Sequence, residues 1–154
     1  MTTPDITLRA ATPADYDRIA AVLDGWWGRP VAHALPRLFL DHFHATSTVA
    51  EAGGELAGFL IGFLSPSEPA AAYIHFVGVH PARRGDGLAR VLYERFFELA
   101  AADGRTLVSA VTAPVNAASI AFHRALGFAA SDPVPGYDGP GDVKVHFERR
   151  LPLR

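Results

Sequence analysis

A strand followed by a glycine-rich turn and a long helix is the feature that most constrains the fold of this chain. Residues 77–90 run Val-Gly-Val-His-Pro-Ala-Arg-Arg-Gly-Asp-Gly-Leu-Ala-Arg. The apolar residues Val77 and Val79 indicate the end of a strand, and Gly85 and Gly87 precede the helix. The first turn of a helix leaves backbone N–H groups unpaired, and the helix dipole adds positive potential there. The junction therefore predicts an anion site, with a phosphate as its usual occupant.

The helix that follows the turn has one apolar face and a clear end. Its apolar residues recur at steps of three and four, at Leu88, Val91, Leu92, Phe96 and Leu99. The helix ends at Asp103-Gly104, because glycine suits the left-handed residue after a last turn. A structural alternative is a surface connection in which the glycines only ease the turn. The glycines alone leave both interpretations open.

Two familiar phosphate-binding loops do not fit this segment. A Walker A loop needs Lys followed by Ser or Thr after its last glycine, and neither is present here. A dinucleotide-binding fingerprint needs a third small residue at the position of Arg90. The phosphate would therefore be held by a different geometry.

At these residues the chain resembles the GNAT family of acyl-CoA-dependent N-acyltransferases. The family motif has Arg or Gln, two residues, Gly, one residue, and then Gly or Ala, and Arg84, Gly87 and Ala89 occupy those positions. Residues 116–128, Asn-Ala-Ala-Ser-Ile-Ala-Phe-His-Arg-Ala-Leu-Gly-Phe, resemble the second family signature. The likeness in element order runs from about Ile6 to the C-terminus. Two linked signatures are more specific than either one alone.

The composition fits one globular domain and excludes several classes of function. With 154 residues, of which 49% are hydrophobic, the chain can bury a sizeable core, so we expect a single domain over residues 1–154. The formal net charge of −2 gives no electrostatic reason to expect nucleic acid or an anionic membrane as a partner. The absence of cysteine excludes a thiol nucleophile and disulfides. The chain shows no signal-peptide pattern and no apolar run that could span a bilayer, so we expect a cytoplasmic protein.

Hydrophobic patterning predicts an α/β chain with a mixed, twisted central sheet. The predicted strands are Ile6–Arg9, Ser47–Ala52, Leu56–Leu64, Ala72–Val79, Leu107–Val111 and Val143–Arg149, with one more near Phe128. Three helices are predicted besides the one that begins at Leu88. They run from a Thr12 cap to Asp24-Gly25, from about Ala32 to His44, and over Asn116–Leu126. Asp132–Asp142 is predicted as a flexible loop. Hairpins followed by a strand–helix–strand crossover favour a mixed sheet, and the family resemblance implies helices on both of its faces.

The resemblance also implies acetyl-CoA as the co-substrate and assigns its contacts. The pyrophosphate would meet the backbone N–H groups of Arg84, Gly85, Asp86, Gly87, Leu88 and Ala89. Asp86 departs from the basic or neutral residue that the family often has there. The pantetheine amides would pair with the backbone of Val77 and Val79, and the Val77 N–H would polarise the thioester carbonyl. Asn116 has two interpretations, as a helix cap that bonds the Ser119 N–H or as a contact of the pantetheine arm.

Three residues are candidates for the proton transfers. A lysine-like amine has a pKa near ~10.4, so a group must accept its proton before it can attack. His75 is the first candidate because it shares a strand face with Val77 and Val79, although a core histidine bonded to backbone is equally consistent. Tyr73 shares that face and could anchor a water. His123 occupies the position where the family commonly has a tyrosine that protonates the leaving thiolate, and its structural alternative is an idle residue on a helix surface.

The sequence thus predicts an N-acetyltransferase in which a primary amine attacks the thioester directly in a ternary complex. The acceptor is left open between a small molecule and a peptide or protein amine. His42 and His44 diverge on their helix and cannot easily share an ion, so we expect no metal. Trp26 and Trp27 either line the acceptor pocket or pack in the core. Family members are often dimers, which makes a homodimer an expectation. The histidine at position 123 keeps open a non-catalytic acyl-CoA sensor, and a phosphate-binding protein unrelated to CoA is a weaker third alternative.

Overall fold

The computed structural model describes residues 5–152 as eight strands, four α-helices and short 3₁₀ turns. The strands are β1 (Ile6–Ala10), β2 (Thr48–Ala52), β3 (Glu55–Leu64), β4 (Ala71–Val79), β5 (Leu107–Thr112), β6 (Ala129–Ala130), β7 (Val134–Pro135) and β8 (Val143–Arg150). The helices are α1 (Asp15–Trp27), α2 (Leu38–Phe43), α3 (Leu88–Ala102) and α4 (Ala117–Ala125). The 3₁₀ turns are Ala32–Ala34, His44–Thr46 and Pro81–Arg83.

The chain divides into two compact units. The first comprises the residues up to Phe63 together with His75–Leu99, and the second comprises Leu64–Ile74 and the residues from Ala100 onward. Strand β4 changes unit between Ile74 and His75, so its first residues belong to the second unit and its last residues to the first.

In the first unit, four strands lie in the order β1-β2-β3-β4. β1 and β3 both pair antiparallel with β2, and the β2–β3 hairpin turns at Gly53 and Gly54, which have φ of 59° and 81°. The apolar face of α1 is buried in this unit through Ile19, Leu23 and Trp26. This cluster is the core that supports the end of β4.

In the second unit, the strands follow the order β4-β5-β8-β6, and β7 also pairs with β8. β5 lies parallel to β4, with Ala71 opposite Leu107 and Tyr73 opposite Ser109. β8 pairs antiparallel with β5, β6 and β7. One parallel pair among antiparallel ones makes the sheet mixed, so the predicted α/β class with a mixed sheet is confirmed, including the extra strand after Phe128.

The structure corrects three local predictions. α1 continues through Gly25 to Trp27, because Trp26 is buried and Gly28 takes the left-handed φ of 71° that ends the helix. The predicted helix over 32–44 is broken at Pro36, since proline cannot donate the backbone hydrogen bond that a continuous helix needs. The predicted loop 132–142 contains strand β7, and the Gly136 N–H donates to the Asp142 carbonyl at 2.7 Å, which closes it into a hairpin.

The start of α1 corrects a fourth prediction, because Thr12 is not its cap. The Asp15 carboxylate instead accepts hydrogen bonds from the Thr12 N–H at 2.8 Å and the Thr12 hydroxyl at 3.1 Å. Arg9 donates to both Asp15 oxygens at 2.8 Å, and Asp15 is only 4% exposed. The paired Arg9 guanidinium is the main reason why the pKa of Asp15 is lowered to about 2.

Close packing fixes the end of β4 in the first unit. A Cβ on Gly78 would lie 2.7 Å from ring carbons of Phe59 and 2.8 Å from the Trp27 ring. The Trp27 ring also lies over Phe76, with centroids 4.8 Å apart. Any side chain at position 78 would therefore push these aromatic rings away from the strand.

We predict that Gly78→Ala destabilises the protein by about 1–3 kcal/mol, the usual cost of overpacking a filled core. Gly25→Ala is the matched control, because no atom lies within 4 Å of its Cβ in helix α1. That control should stabilise the protein by roughly 0.5–1 kcal/mol, since glycine is unfavourable within a helix. Urea unfolding measures both changes. An unchanged midpoint for Gly78→Ala would contradict the packing described.

A second prediction concerns the pH dependence of stability. Because the pKa of Asp15 is lower in the folded chain than its ordinary value of 3.8, its contribution is present above about pH 4 and is lost as the pH falls toward 2. Asp15→Asn should lower the free energy of unfolding at neutral pH by about 2 kcal/mol. Asp17→Asn removes an exposed ion pair with Arg37 and should cost far less, because water screens both charges. Equal losses for both variants would refute the special role of Asp15.

Candidate active site

The turn between β4 and α3 is anchored by its own hydrogen bonds. The His80 N–H donates to the Ala57 carbonyl at 2.9 Å, which ties the turn to β3. The His80 Nδ1 atom accepts from the Ala82 N–H at 3.0 Å, at the start of the 3₁₀ turn Pro81–Arg83. The chain therefore enters the glycine segment from a fixed position.

Gly85 and Gly87 have the left-handed conformation that the turn requires. Their φ angles are 90° and 83°, which a residue with a side chain adopts only at a cost. A Cβ at either position would meet nothing within 4 Å among the described residues beyond its chain neighbours. The space above both glycines is thus open to an approaching group.

A row of unpaired backbone N–H groups faces this turn. Within residues 5–152, no acceptor bonds the N–H groups of Gly85, Gly87, Leu88, Ala89 and Arg90. The next N–H, of Val91, donates to the Gly87 carbonyl at 3.2 Å and begins the helical pattern. The N–H groups of Arg84 and Asp86, which the sequence predicted as phosphate contacts, instead bond within the turn, at 3.5 and 3.4 Å. The N–H group of Arg90, which was not predicted, is unpaired.

The side chain of Arg84 is engaged with helix α1. Its Nη2 atom donates to the Trp26 carbonyl at 2.5 Å. A cation near the last carbonyls of a helix is favourable, because those groups carry the negative end of the helix dipole. Trp26 itself stacks on Phe59 with ring centroids 6.0 Å apart, so both tryptophans pack within the first unit.

A cavity of about 390 Å³ lies beside the turn between β4 and α3, in the first unit. Its lining residues are Ala52, Glu55, Leu56, His80, Ala82, Arg83 and Asp86. Asp86 is exposed to solvent, where its charge is screened by water. Its carboxylate therefore does not occupy a dry site at the head of α3.

His75 lies on β4 in the first unit and is bonded to backbone. Its Nε2 atom is 2.6 Å from the Ala34 carbonyl, and its ring stacks flat on Phe39 with centroids 4.0 Å apart. A carbonyl only accepts, so Nε2 carries the hydrogen and Nδ1 holds the lone pair. Burial lowers the pKa of His75, which favours the neutral ring. The predicted core histidine bonded to backbone is therefore observed, and any proton would be taken up at Nδ1.

Tyr73 lies on β4 in the second unit and is half-buried. Burial is the main cause that raises the pKa of Tyr73 to about 12, and the nearby charges of Tyr137 and Asp138 add to it. The phenol therefore stays protonated at neutral pH and can donate a hydrogen bond.

Asn116 caps α4 in the second unit. Its Oδ1 atom accepts from the Ser119 N–H at 3.3 Å, and its Nδ2 atom donates to the Thr112 hydroxyl at 3.2 Å. The capping interpretation of Asn116 is therefore confirmed.

His123 is buried in the core of the second unit. It is 6% exposed, its Nδ1 atom donates to the Ser119 carbonyl at 2.7 Å, and its ring stacks on Phe147 with centroids 4.0 Å apart. The expected alternative, an idle histidine on a helix surface, is wrong because the ring is enclosed by Phe122, Phe128 and Phe147. Burial lowers the pKa of His123 and disfavours the imidazolium that could protonate a thiolate.

The structure does not bring Tyr73 and His123 together. Tyr73 pairs with Ser109, and Ser109 pairs with Glu148 on β8, so these residues share one face of the sheet. The His123 ring stacks on Phe147. Phe147 is adjacent to Glu148 on β8 and therefore lies on the opposite face of the sheet. The two candidates of the second unit therefore lie on different faces of the sheet.

A histidine that the sequence did not single out lies on the face of Tyr73. His146 pairs with Val111 across β5 and β8, and its Nε2 atom is buried without a hydrogen-bond partner. The Tyr137 ring stands at 84° to the His146 ring, with centroids 4.4 Å apart. The only signal in the sequence was its place in the alternation of β8, which predicts a solvent-facing side chain.

Neither a metal centre nor a membrane span is found among residues 5–152. No three His, Cys, Asp or Glu side chains in this part of the chain come together as metal ligands. None of its helices combines the length and the apolar character needed to cross a bilayer.

Comparison with known proteins identifies a family. The family model described as "Acetyltransferase (GNAT) family" matches residues 16–128. The chain is also similar to YncA of Salmonella typhimurium, solved with its cofactor acetyl-CoA, at 24% identity and a TM-score of 0.75. That alignment covers 97% of this chain and 96% of the other, and at this identity it supports the fold.

Two curated relatives share more sequence over shorter stretches. An L-2,4-diaminobutyric acid acetyltransferase of Nocardia farcinica is 35% identical over 58% of this chain and 46% of its own length. An L-methionine sulfoximine/L-methionine sulfone acetyltransferase of Salmonella typhimurium is 39% identical over 51% of this chain and 43% of its own length. The chain thus spans about half the length of the curated relatives it matches.

We predict that His123→Phe lowers the free energy of unfolding by about 1 kcal/mol. The phenylalanine ring keeps the stacking on Phe147 but loses the hydrogen bond to the Ser119 carbonyl. Urea unfolding at neutral pH measures the change. Unchanged stability together with a fall in kcat would instead assign His123 the catalytic part that the sequence suggested.

Proposed function

The chain belongs to the GNAT family of acetyltransferases, and from that premise we propose that it is an acetyl-CoA-dependent N-acetyltransferase acting on a primary amine. One observation carries the proposal: five unpaired N–H groups follow one another closely along the chain where α3 begins, and two of them belong to glycines in open space. The first turn of any helix leaves such groups unpaired, and here the two glycines in open space make the arrangement suited to a diphosphate. The names of the curated relatives, all acetyltransferases, support the same reaction class.

The pyrophosphate of CoA would bind to these N–H groups. The dipole of α3 adds positive potential at its first turn, and hydrogen bonds to a charged acceptor are stronger than those between neutral groups. The absence of a Cβ at Gly85 and Gly87 lets the backbone approach the phosphate oxygens closely. The Arg84 side chain would not bind the phosphates, because it donates to the Trp26 carbonyl and holds α1 against the turn.

The pantetheine arm would extend along the end of β4. Its amides would bond the backbone of Val77 and Val79, as an added strand pairs with a sheet edge. The Val77 N–H would then polarise the thioester carbonyl and stabilise the developing oxyanion. Support for this placement comes from the close packing of Trp27 and Phe59 on Gly78, which fixes the position of that part of β4 in the first unit. A contact of Asn116 with the arm stays a prediction beside its observed capping role.

The reaction we propose is direct transfer in a ternary complex. The neutral amine nitrogen attacks the thioester carbonyl carbon, a C–N bond forms, and the C–S bond breaks as CoA leaves and takes up a proton. The ammonium proton must first pass to a base. The sequence predicts that His75 is this base. It would take the proton at Nδ1, because its Nε2 atom is bonded to Ala34, and Tyr73 would hold a water beside the amine. The prediction that His123 protonates the thiolate is weakly supported, because its Nδ1–H is bonded to Ser119.

A small amino-acid amine is the acceptor we favour over a peptide or protein amine. The relatives are named for diaminobutyric acid and for methionine sulfoximine and sulfone, all of which are free amino acids or their derivatives. We propose a single acetyltransferase domain. A homodimer stays a prediction, as does a location in the cytoplasm.

Binding of acetyl-CoA at the head of α3 is tested with two matched glycine variants. Gly87→Val and Gly104→Val introduce the same side chain at φ of 83° and 80°, and neither Cβ meets an atom within 4 Å. Both variants should lose similar stability, because the backbone strain is alike. Only Gly87→Val should lose the rise in Tm that acetyl-CoA and CoA produce in the wild-type protein. ATP should produce little rise in any of the three proteins.

Equal ligand-induced shifts in Gly87→Val and Gly104→Val would contradict the proposed phosphate site. The catalytic part of the proposal has its own readout, which is release of free CoA in the presence of a panel of amines. Binding of acetyl-CoA without release of CoA would favour the alternative of a non-catalytic acyl-CoA sensor.

A further inference from the structure

The first unit contains a cavity that the proposed reaction does not use. Its volume of about 390 Å³ lies within the usual range of small-molecule sites. The β2–β3 hairpin contributes Glu55 and Leu56 to its lining, and the turn before α3 contributes His80, Arg83 and Asp86. All of these residues belong to the first unit, so one unit alone forms the cavity.

The cavity lies on the β3 side of β4. β3 is the neighbour of β4 in the first unit, and Glu55 and Leu56 are the first two residues of β3. The pantetheine arm would instead pair with the other edge of β4, through the backbone of Val77 and Val79. A small molecule in the cavity would therefore not be the acceptor of the acetyl group.

Three charged side chains line the cavity, and none of them is paired. Glu55 and Asp86 are carboxylates, and Arg83 is a guanidinium. Among residues 5–152, no hydrogen bond or ion pair engages any of these three side chains. Groups of opposite charge thus line the same cavity without contacting one another, which leaves each of them free to bind a ligand.

The rest of the lining offers one further donor and an apolar surface. The His80 Nδ1 atom accepts from the Ala82 N–H, so the hydrogen of the neutral ring is on Nε2, which can donate. The His80 ring stands edge-on to Trp26, with centroids 5.4 Å apart, which holds it in place. Ala52 and Leu56 provide apolar surface for a short methylene chain.

The charges decide which class of ligand fits. Two carboxylates and one guanidinium give the lining a net charge of −1, which disfavours a phosphate or another anion. A diamino acid at neutral pH has the opposite pattern, with two ammonium groups and one carboxylate. Each of its charged groups would find an unpaired partner, and charge-assisted hydrogen bonds of this kind are the stronger ones.

We propose that this cavity is a second, non-catalytic site for a free diamino acid, whose ammonium groups pair with Glu55 and Asp86 and whose carboxylate pairs with Arg83. A guanidinium suits a carboxylate because it can donate two parallel hydrogen bonds. The site goes beyond the proposed acetyltransferase function and does not depend on it.

The effect of this site on the cofactor does rest on the proposed function. Asp86 lies between Gly85 and Gly87, whose unpaired N–H groups would bind the diphosphate. The negative charge of Asp86 opposes a phosphate bound there. An ammonium group paired with Asp86 cancels that charge, so the diamino acid should increase the affinity for CoA.

The site is tested by titration of ¹⁵N-labelled protein with L-2,4-diaminobutyrate in the absence of CoA. The amide resonances of Glu55, Leu56, Ala82 and Arg83 should shift together and saturate, because these residues line the cavity. L-2-Aminobutyrate lacks one ammonium group, and 1,3-diaminopropane lacks the carboxylate. Each should bind at least about tenfold more weakly, since each leaves one charged side chain without a partner.

Variants that remove one charge assign the contacts. Glu55→Gln and Arg83→Gln should each weaken the binding of L-2,4-diaminobutyrate by about tenfold. Glu68→Gln is the matched control, because Glu68 is an exposed glutamate of the second unit, and its affinity should equal that of the wild-type protein. None of the three side chains is buried, so urea unfolding should give similar midpoints for all three variants.

The effect on the cofactor is measured with CoA, which cannot transfer an acetyl group to the diamino acid. Saturating L-2,4-diaminobutyrate should lower the Kd of CoA by about fivefold at low salt, as for two unit charges roughly 4 Å apart in water. CoA should tighten the binding of the diamino acid by the same factor, because coupling between two sites is reciprocal. Asp86→Asn should bind CoA more tightly without the diamino acid and gain nothing further from it.

The possible failures are distinguishable. The site is overturned if the cavity amides show no saturable shift, or if Glu55→Gln and Arg83→Gln bind as the wild-type protein does. Equal binding of 1,3-diaminopropane would overturn the assignment to an amino acid. A Kd of CoA that stays unchanged or rises with the diamino acid would overturn the coupling. If the wild-type protein binds the diamino acid in the cavity but does not bind CoA, the proposed acetyltransferase function fails, and the coupling with it, while the site stands.

Discussion

The packing of two aromatic rings onto a glycine in β4 is the constraint on which the first unit depends. Phe59 and Trp27 approach Gly78 so closely that no side chain fits there. This contact holds α1 and β3 against the end of β4, immediately before the turn that leads to α3. Arg84 adds a polar link from that turn to the Trp26 carbonyl. The position of the unpaired N–H groups thus follows from an apolar contact a few residues away.

The two units contribute different kinds of chemistry. The first provides backbone donors at a helix N-terminus, which suit the fixed negative charge of a diphosphate. The second places the Tyr73 phenol and the His146 imidazole on one face of its sheet. His123 lies on the other face beneath Phe147, where it contributes to the core. The histidine in the family signature is therefore explained here by packing.

The sequence predicted well what is determined locally. The strand, turn and helix around Gly85 and Gly87 follow from glycine conformation and apolar spacing within one short segment, and the structure reproduces them. The extent of α1 was missed because burial of Trp26 against Phe59 overrides the glycine at position 25. His146 was missed for a similar reason. Alternation along β8 shows its face, but only the tertiary structure shows that Tyr137 covers it and leaves Nε2 unpaired.

The most direct test of the phosphate site is a titration of ¹⁵N-labelled protein with CoA, observed through the amide resonances. If the turn binds the phosphates, the amide protons of Gly85, Gly87, Leu88, Ala89 and Arg90 shift downfield together, because each gains a charged acceptor. The amides of Arg84 and Asp86, which already bond within the turn, should move less. Saturable binding of CoA that leaves those five amides unmoved would contradict the account.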